Sequence, residues 1–231
     1  MSVAVKICGI RTAEAREAAL RGGARWLGFV FYPPSPRAVA PEAAAALAAG
    51  LPEGREAVAV TVDADDGLLA RIVEVVNPHL LQLHGSESPA RVAAVRARFG
   101  RPVIKAIAVS DAASLAAARA FEPVADGLLF DAKAPKSAAG ALPGGNGLAF
   151  DWQLLKGWSG RLPWFLSGGL RAETLGAAVA LTGARRVDVS SGVESQPGVK
   201  APALILDFLA AAGRADLAPA PASELMDPSE R

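Results

Sequence analysis

Short apolar runs alternate with stretches of helical composition along this chain, and that alternation limits the fold more than any single motif does. Eight runs read as strands: residues 3–10, 26–31, 57–62, 80–84, 103–109, 126–131, 163–167 and 186–190. Trp26 to Phe31 is apolar at every position but Gly28. Such a run suits a strand covered on both faces, as in a parallel sheet. Between the runs, residues 12–21 open on Thr12 and stop at Gly22-Gly23, residues 41–49 begin with a proline, and residues 65–77 place Leu68, Leu69, Ile72, Val73 and Val76 on one helical face. Residues 89–99 end at Gly100, Asp111 caps a helix to about Phe121, a short helix spans 151–156, and another spans 171–182. These are ordinary helix start and stop signals. Leu204, Ile205, Phe208 and Leu209 give a last helix its buried face.

Eight strand-then-helix units in about 212 residues predict an α/β fold, a single (β/α)8 TIM barrel over residues 1–213. An open doubly wound sheet is the alternative. Residues 214–231 carry three prolines, several charges and few large apolar side chains, which predicts a disordered tail. The connection 132–147 holds four glycines and two prolines, a length and composition typical of functional loops.

The chain has 231 residues, 52% apolar and 20% charged, with a net charge of +1. That balance gives no electrostatic footprint for nucleic acid. No run approaches the roughly 20 apolar residues that cross a bilayer, and no export signal is read, so a cytoplasmic protein without membrane contact is expected. One cysteine excludes an internal disulfide, and two histidines do not furnish a histidine-rich metal site. No metal and no cofactor are expected.

In a barrel, side chains at strand ends and in the loops after them form the active face. Cys8 ends the first strand two residues after Lys6, Gln82 and His84 share a face of the fourth, Asp131 ends the sixth, and Asp188 and Ser190 share a face of the eighth. Lys105 lies within the fifth. Inward Lys and Asp side chains in apolar strands must pair or be wet, so several of them on different strands predict a site. A thiol beside an ammonium is a candidate base. Glycine turns follow the seventh and eighth strands, with Gly168, Gly169, Ser191 and Gly192. Barrels bind phosphate there through backbone N–H groups, which predicts a phosphorylated small-molecule substrate. Gly145 and Asn146 could add donors from the Gly144–Gly147 run. Arg37, in a loop stiffened by three prolines, suits a carboxylate.

Read together, these segments resemble the phosphoribosylanthranilate isomerase family of tryptophan biosynthesis. The resemblance runs through KICG at Lys6 to Gly9, GFVF and SPR at Gly28 to Phe31 and Ser35 to Arg37, QLHG with Glu87, LLFD ending at Asp131, FDW at Phe150 to Trp152, LSGGL at Leu166 to Leu170, VDVSSGVE at Val187 to Glu194, and PGVK at Pro197 to Lys200. It implies a cofactor-free Amadori rearrangement with Cys8 as general base and Asp131 as general acid. It also implies Arg37 near the anthranilate carboxylate, Asp188 near the amine, and a phosphate cradle at Gly168, Gly169, Ser191 and Gly192 under the glycine loop. The chain departs from the family at Asn146, where Ser or Thr is common, and at Thr61-Val62-Asp63. Rivals are another phosphate-binding barrel enzyme, such as a pentulose-phosphate epimerase or an indole-glycerol-phosphate synthase, and a non-catalytic phosphometabolite-binding barrel. Monomer and homodimer are both open.

Such chemistry needs a thiolate and a neutral acid together. At ordinary pKa values of about 8.5 and 3.9, that combination is roughly one molecule in 10⁴ to 10⁵ at pH 7, a deficit of about 6 kcal/mol. Lys6 and Lys105 are expected to lower the thiol's pKa and burial to raise the acid's. Truncation after about residue 213 is expected to leave activity and melting temperature nearly unchanged, and a loss of several degrees in a thermal melt would show that the tail docks.

Overall fold

The computed structural model describes residues 3–132 and 151–215. Within them eight parallel strands close into a barrel in chain order: β1 (Ala4–Cys8), β2 (Trp26–Phe31), β3 (Glu56–Thr61), β4 (Leu80–Leu83), β5 (Val103–Val109), β6 (Gly127–Ala132), β7 (Trp164–Leu166) and β8 (Arg186–Val189). The register Ala4↔Arg186 to Ile7↔Val189 joins β8 back to β1, which excludes the open sheet. Seven α-helices cover the outside among the described residues: α1 (Ala13–Arg21), α2 (Pro41–Ala48), α3 (Asp66–Val76), α4 (Pro89–Phe99), α5 (Ala112–Ala118), α6 (Ala172–Thr182) and α7 (Pro202–Arg214). Where a short helix is expected over 151–156, the chain makes only a 3-10 turn, Trp152–Leu155. A hairpin of β9 (Glu194–Gln196) and β10 (Val199–Lys200), not foreseen from sequence, follows β8.

The helices start where side-chain acceptors take up otherwise unpaired N–H groups. Thr12 accepts from Ala15 N at 3.3 Å, Asp65 from Leu68 N at 2.8 Å, Ser88 from Arg91 N at 3.2 Å and Asp111 from Ser114 N at 2.8 Å. Asn77 and Gly100 stop α3 and α4 in the left-handed conformation. On α7 the buried face is Ile205, Phe208, Leu209 and Ala212, while Leu204 is 39% exposed, against expectation. Leu204 sits one step off the stripe that touches the barrel.

Alternate strand residues divide between two apolar clusters, as the two-residue period requires. Cys8, Trp26, Val30, Val58, Val60, Ile104, Ala106, Leu129 and Phe165 fill the barrel. Ile7, Leu27, Phe29, Leu81, Leu83, Val103, Leu128 and Phe130 pack outward with the helices. Deep inside, Trp26 and Phe165 meet edge to face at 4.8 Å, so the barrel is closed to solvent there and chemistry is confined to the mouth.

This parity moves Lys105 out of the predicted site. It shares the outward face with Val103 and Ile107, and its Nζ donates to Leu83 O (3.2 Å), Gly85 O (2.7 Å) and Glu87 Oε2 (2.8 Å). Glu87 in turn accepts from Asp63 N and Gly85 N, and Asp63 Oδ1 accepts from Ser86 N at 2.7 Å. The Thr61-Val62-Asp63 segment is thus the brace between the loops after β3 and β4. A side chain at Gly85 would stand 2.4 Å from Asp63 Oδ1. The last helix runs to Arg214, one residue into the tail expected over 214–231; residues 216–231 lie outside the described residues, as do Gly145 and Asn146. Lys105→Met should strand the Glu87 carboxylate in a buried position and cost about 3 to 5 kcal/mol in urea unfolding.

Candidate active site

Cys8 stands at the mouth end of β1, opposite Gly28 in the β1–β2 register. A Cβ on Gly28 would lie 3.0 Å from Lys6 Nζ and 3.1 Å from Cys8 Sγ. Glycine at this point leaves the space in which the ammonium and the thiol sit side by side. Lys6 is fully buried, and its Nζ donates to Asp188 Oδ1 of β8 at 2.8 Å. Burial pulls the Lys6 pKa down, but Asp188 and Cys8 outweigh it and hold the ammonium charged. For Cys8 the balance goes the other way. Burial pushes the thiol up, Asp188 adds to that push, and the pull of Lys6 and Lys200 is smaller. Contrary to the sequence expectation, the thiol lies above its ordinary range, and Lys105 has no part in it.

Beside Cys8 lies a second buried charge cluster. Arg37, 5% exposed rather than a surface side chain, grips Glu194 through Nε and Nη2 at 2.8 Å each. The carboxylate expected for its planar fork is thus supplied by the protein. Lys200 also contacts Glu194 Oε1, and donates to Ser190 O at 3.1 Å and Ser190 Oγ at 3.2 Å. Ser190 Oγ donates to the carbonyl of Cys8 at 3.1 Å. Burial raises the Glu194 pKa, but Arg37 and Lys200 more than offset this and hold it below the usual carboxylate range.

Across the mouth, three strands away in the closed order, Asp131 accepts from the Ala132 N–H at 2.8 Å and meets His84 Nε2 at 3.3 Å. His84 Nδ1 lies 2.9 Å from Gln82 Nε2. The three side chains form a line from the barrel interior to the acid. Gln82 Oε1 is buried without a hydrogen-bond partner among the described residues.

The glycine turns lie above β7 and β8. Gly168 and Gly169 take φ values of 83° and 67°, two successive left-handed residues that only glycine adopts freely. Gly192 belongs to the 3-10 turn Ser191–Val193, and a Cβ there would fall 2.0 Å from Leu170 O. Glycine is therefore what lets the two turns touch and present one surface. Among the described residues no group of three His, Cys, Asp or Glu side chains is placed to hold a metal ion.

Of the residues read from sequence, the structure brings Cys8, Lys6, Asp188 and Arg37 to one side of the mouth, Asp131, His84 and Gln82 to the other, and Gly168, Gly169, Ser191 and Gly192 to adjoining turns. Glu194 and Lys200, noted in sequence only as parts of motifs, are central to the first group. Their signal was the spacing across Pro197-Gly198, a hairpin turn that returns Lys200 to the strand it follows.

Residues 5–211 match the family model for N-(5'-phosphoribosyl)anthranilate (PRA) isomerase. The chain is 57% identical over 212 residues to the N-(5'-phosphoribosyl)anthranilate isomerase of Rhodospirillum centenum, covering 92% of this chain and 99% of that one. It is 53% identical over 215 residues to the enzyme of Parvibaculum lavamentivorans, covering 93% and 100%. The crystal structure of the Thermotoga maritima isomerase superposes with a TM-score of 0.80 at 34% identity, covering 91% of this chain and 98% of that one. Matched by that family model over most of its length, more than half identical to two of the family's enzymes and folded as a closed barrel, the chain belongs to the N-(5'-phosphoribosyl)anthranilate isomerase family.

Proposed function

We propose that Cys8 is the general base and Asp131 the general acid of the family's reaction, the rearrangement of N-(5-phosphoribosyl)anthranilate to 1-(2-carboxyphenylamino)-1-deoxyribulose 5-phosphate in tryptophan biosynthesis. The observation that carries this reading is their placement: a thiol and a carboxyl stand at one mouth, on strands three apart in the closed order, the thiol beside the Lys6 ammonium and the carboxyl against His84. A relative at 32% identity and TM-score 0.77 was solved with reduced 1-(o-carboxyphenylamino)-1-deoxyribulose 5-phosphate. The left-handed Gly168 and Gly169 and the close turn at Gly192 support assigning the substrate phosphate to the N–H groups of Gly168, Gly169, Ser191 and Gly192, while Gly145 and Asn146, the other expected donors, lie outside the described residues. Arg37, its plane set by Glu194, receives the anthranilate carboxylate, and Asp188 lies nearest the amine.

In this reading Asp131, protonated, gives its proton to the furanose ring oxygen, the C1–O bond breaks, and the aryl nitrogen pair forms the C1=N bond of a Schiff base. Cys8 as thiolate takes the proton from C2, and the electrons of that C–H bond move to make the enolamine. Protonation at C1 and loss of the C2 hydroxyl proton complete the ketone. C2 is oxidised and C1 reduced by the same electron pair, so no external oxidant enters. Gln82 and His84 serve the acid. When Gln82 Nε2 donates to Nδ1, His84 carries its proton on Nε2 and donates to the Asp131 carboxylate. With the amide turned over, Gln82 Oε1 accepts from Nδ1–H and Nε2 accepts the proton of the neutral acid. A neutral imidazole thus serves both states of Asp131 by exchanging tautomers.

A working thiol must stay reduced, which supports the cytoplasm as its compartment; no helix among the described residues is long and apolar enough to cross a membrane. The substrate is a small phosphorylated molecule, with neither nucleic acid nor membrane as partner. The homodimer extends to this chain from the dimeric Thermotoga maritima enzyme, and sedimentation equilibrium measures it.

Two predictions follow from the assignment of base and acid. Because catalysis needs the thiolate and the neutral acid together, and the ordinary carboxyl pKa lies below that of a thiol, the thiol marks the alkaline limb: kcat/KM should fall with pH through a midpoint above the ordinary thiol value of about 8.5, since burial lifts it, and a fall centred near 6 would place another group there. Cys8→Ser and Asp131→Asn should each lower kcat by at least about 100-fold while a product analogue still binds, and the double variant should lose far less than the product of the two effects. Loss of anthranilate fluorescence reports the turnover. Retention of most kcat by Cys8→Ser, with chemistry rate-limiting, removes Cys8 as the base.

A further inference from the structure

Lys200 is buried where an ammonium has no structural need to be. The hairpin that carries it has only two residues in its second strand: Val199 points to solvent at 51% exposure, while the Lys200 side chain is 2% exposed. The hairpin is seated firmly. Gly198, at φ 83°, lies so close to the loop after β2 that a Cβ would stand 2.4 Å from Pro36 O, and Ala201 N donates to Val193 O at 3.0 Å. These contacts fix the SPR loop, the end of β8 and the hairpin as one body. They aim Lys200 Nζ at Ser190, the residue that bonds the Cys8 carbonyl, and within 3.2 Å of the point where a Cβ on Gly9 would stand. Burying a lysine costs several kcal/mol before pairing, and an apolar side chain would seal a hairpin at lower cost.

We propose that Lys200 is a positioning residue for Cys8, its ammonium held over Ser190 so that it stabilises the thiolate form of the base. The inference rests on the reading of Cys8 as base. Lys6 pulls on the thiol more strongly, but its ammonium is bound to Asp188 at 2.8 Å, whose carboxylate offsets part of that pull, so Lys200 adds to what the pair leaves. Glu194 is shared between Arg37 and Lys200, so a single carboxylate answers two cations and screens each incompletely. The charged groups around Cys8 are then Lys6 from β1, Asp188 from β8, Arg37 from the loop after β2, Glu194 and Lys200 from the hairpin, and Asp131 with His84 across the mouth. The pull of Lys200 on the thiol, opposite in sign to that of Asp188, agrees with this placement.

Cys8 is the chain's only cysteine, so its titration can be read directly from the rate of alkylation by iodoacetamide as a function of pH. In full-length Lys200→Met the midpoint should move up by about one pH unit, with the alkylation rate at pH 7 lowered about tenfold. The alkaline limb of kcat should move up with it, KM should stay within about twofold, and Lys200→Arg should recover most of the shift. A Lys200→Met profile that superimposes on the parent's would overturn the proposal, leaving Lys200 as a structural residue of the hairpin. Should Lys200→Met not fold, Glu194→Gln gives the opposite test. Removing the carboxylate should lower the thiol midpoint, and an unmoved or raised midpoint overturns the idea equally. A shifted midpoint in a protein whose Cys8→Ser variant keeps its kcat would retain the electrostatics and discard the base, whereas an unmoved midpoint with an inactive Cys8→Ser would do the reverse.

Discussion

The ion pair between Lys6 and Asp188 sits on the seam where the barrel closes. Lys6 and Asp188 are register partners of β1 and β8, and both side chains lie in the interior, with exposures of 0% and 5%. Two charges so placed lose most of their hydration, and their mutual attraction at best roughly repays that loss. Interior positions elsewhere in the barrel are filled by Trp26, Val58, Ile104, Leu129 and Phe165, which cost nothing of the kind. The pair is therefore poor value as a stabiliser, and its retention makes sense through its neighbour. Gly28, by having no side chain, lets Lys6 share one pocket with the Cys8 thiol. The seam and the thiol's pocket are built from the same few atoms.

Most of the architecture was readable because strand runs, caps and glycine stops agreed with one another. The residues Thr12, Asp65, Ser88 and Asp111 do at each helix start what their chemistry suggests. Lys105 was misplaced for a definite reason. In a parallel barrel both faces of a strand are covered, so the run Val103 to Val109 is apolar on each side and its pattern does not say which side faces the axis. Only the register with a neighbour of known parity decides it: Leu83↔Lys105 puts Lys105 with the outward residues, whereas Gln82↔Ile104 turns Gln82 inward toward His84 and Asp131. Lys6 escaped the same ambiguity because Cys8, two residues on, shares its face.

The loops were harder to read than the strands, since their contacts are between segments far apart in sequence. Arg37 and Glu194 are 157 residues apart, and nothing local to either announces the other. A proline-stiffened loop correctly signalled a guanidinium held for an anion, but a carboxylate from the chain itself is the first anion it meets. Likewise Glu87 read as a motif letter and became the acceptor that binds the loops after β3 and β4 to Lys105. In each case the residue type foretold the chemistry of the contact, while the partner depended on tertiary placement.

The same placement explains why the thiol is not simply made acidic by surrounding it with cations. A buried lysine has to be paired, so Lys6 brings Asp188 with it and Lys200 brings Glu194. Asp188 then pushes the thiol up while Lys6 pulls it down, and the net effect of a pair is the difference between two nearby distances rather than a full unit charge. Burial works against the thiolate throughout. What the protein can still adjust is the order of approach, with the ammonium nearer the sulfur than its carboxylate, and the sharing of one carboxylate between two cations. Gly28 provides the first on the β1 side, where it leaves Lys6 Nζ and Cys8 Sγ in one space; Glu194, divided between Arg37 and Lys200, provides the second on the hairpin side. The thiolate form of Cys8 is thus favoured by geometry more than by net charge, which makes the site sensitive to a single misplaced methyl group at Gly28 and tolerant of the chain's near-neutral total.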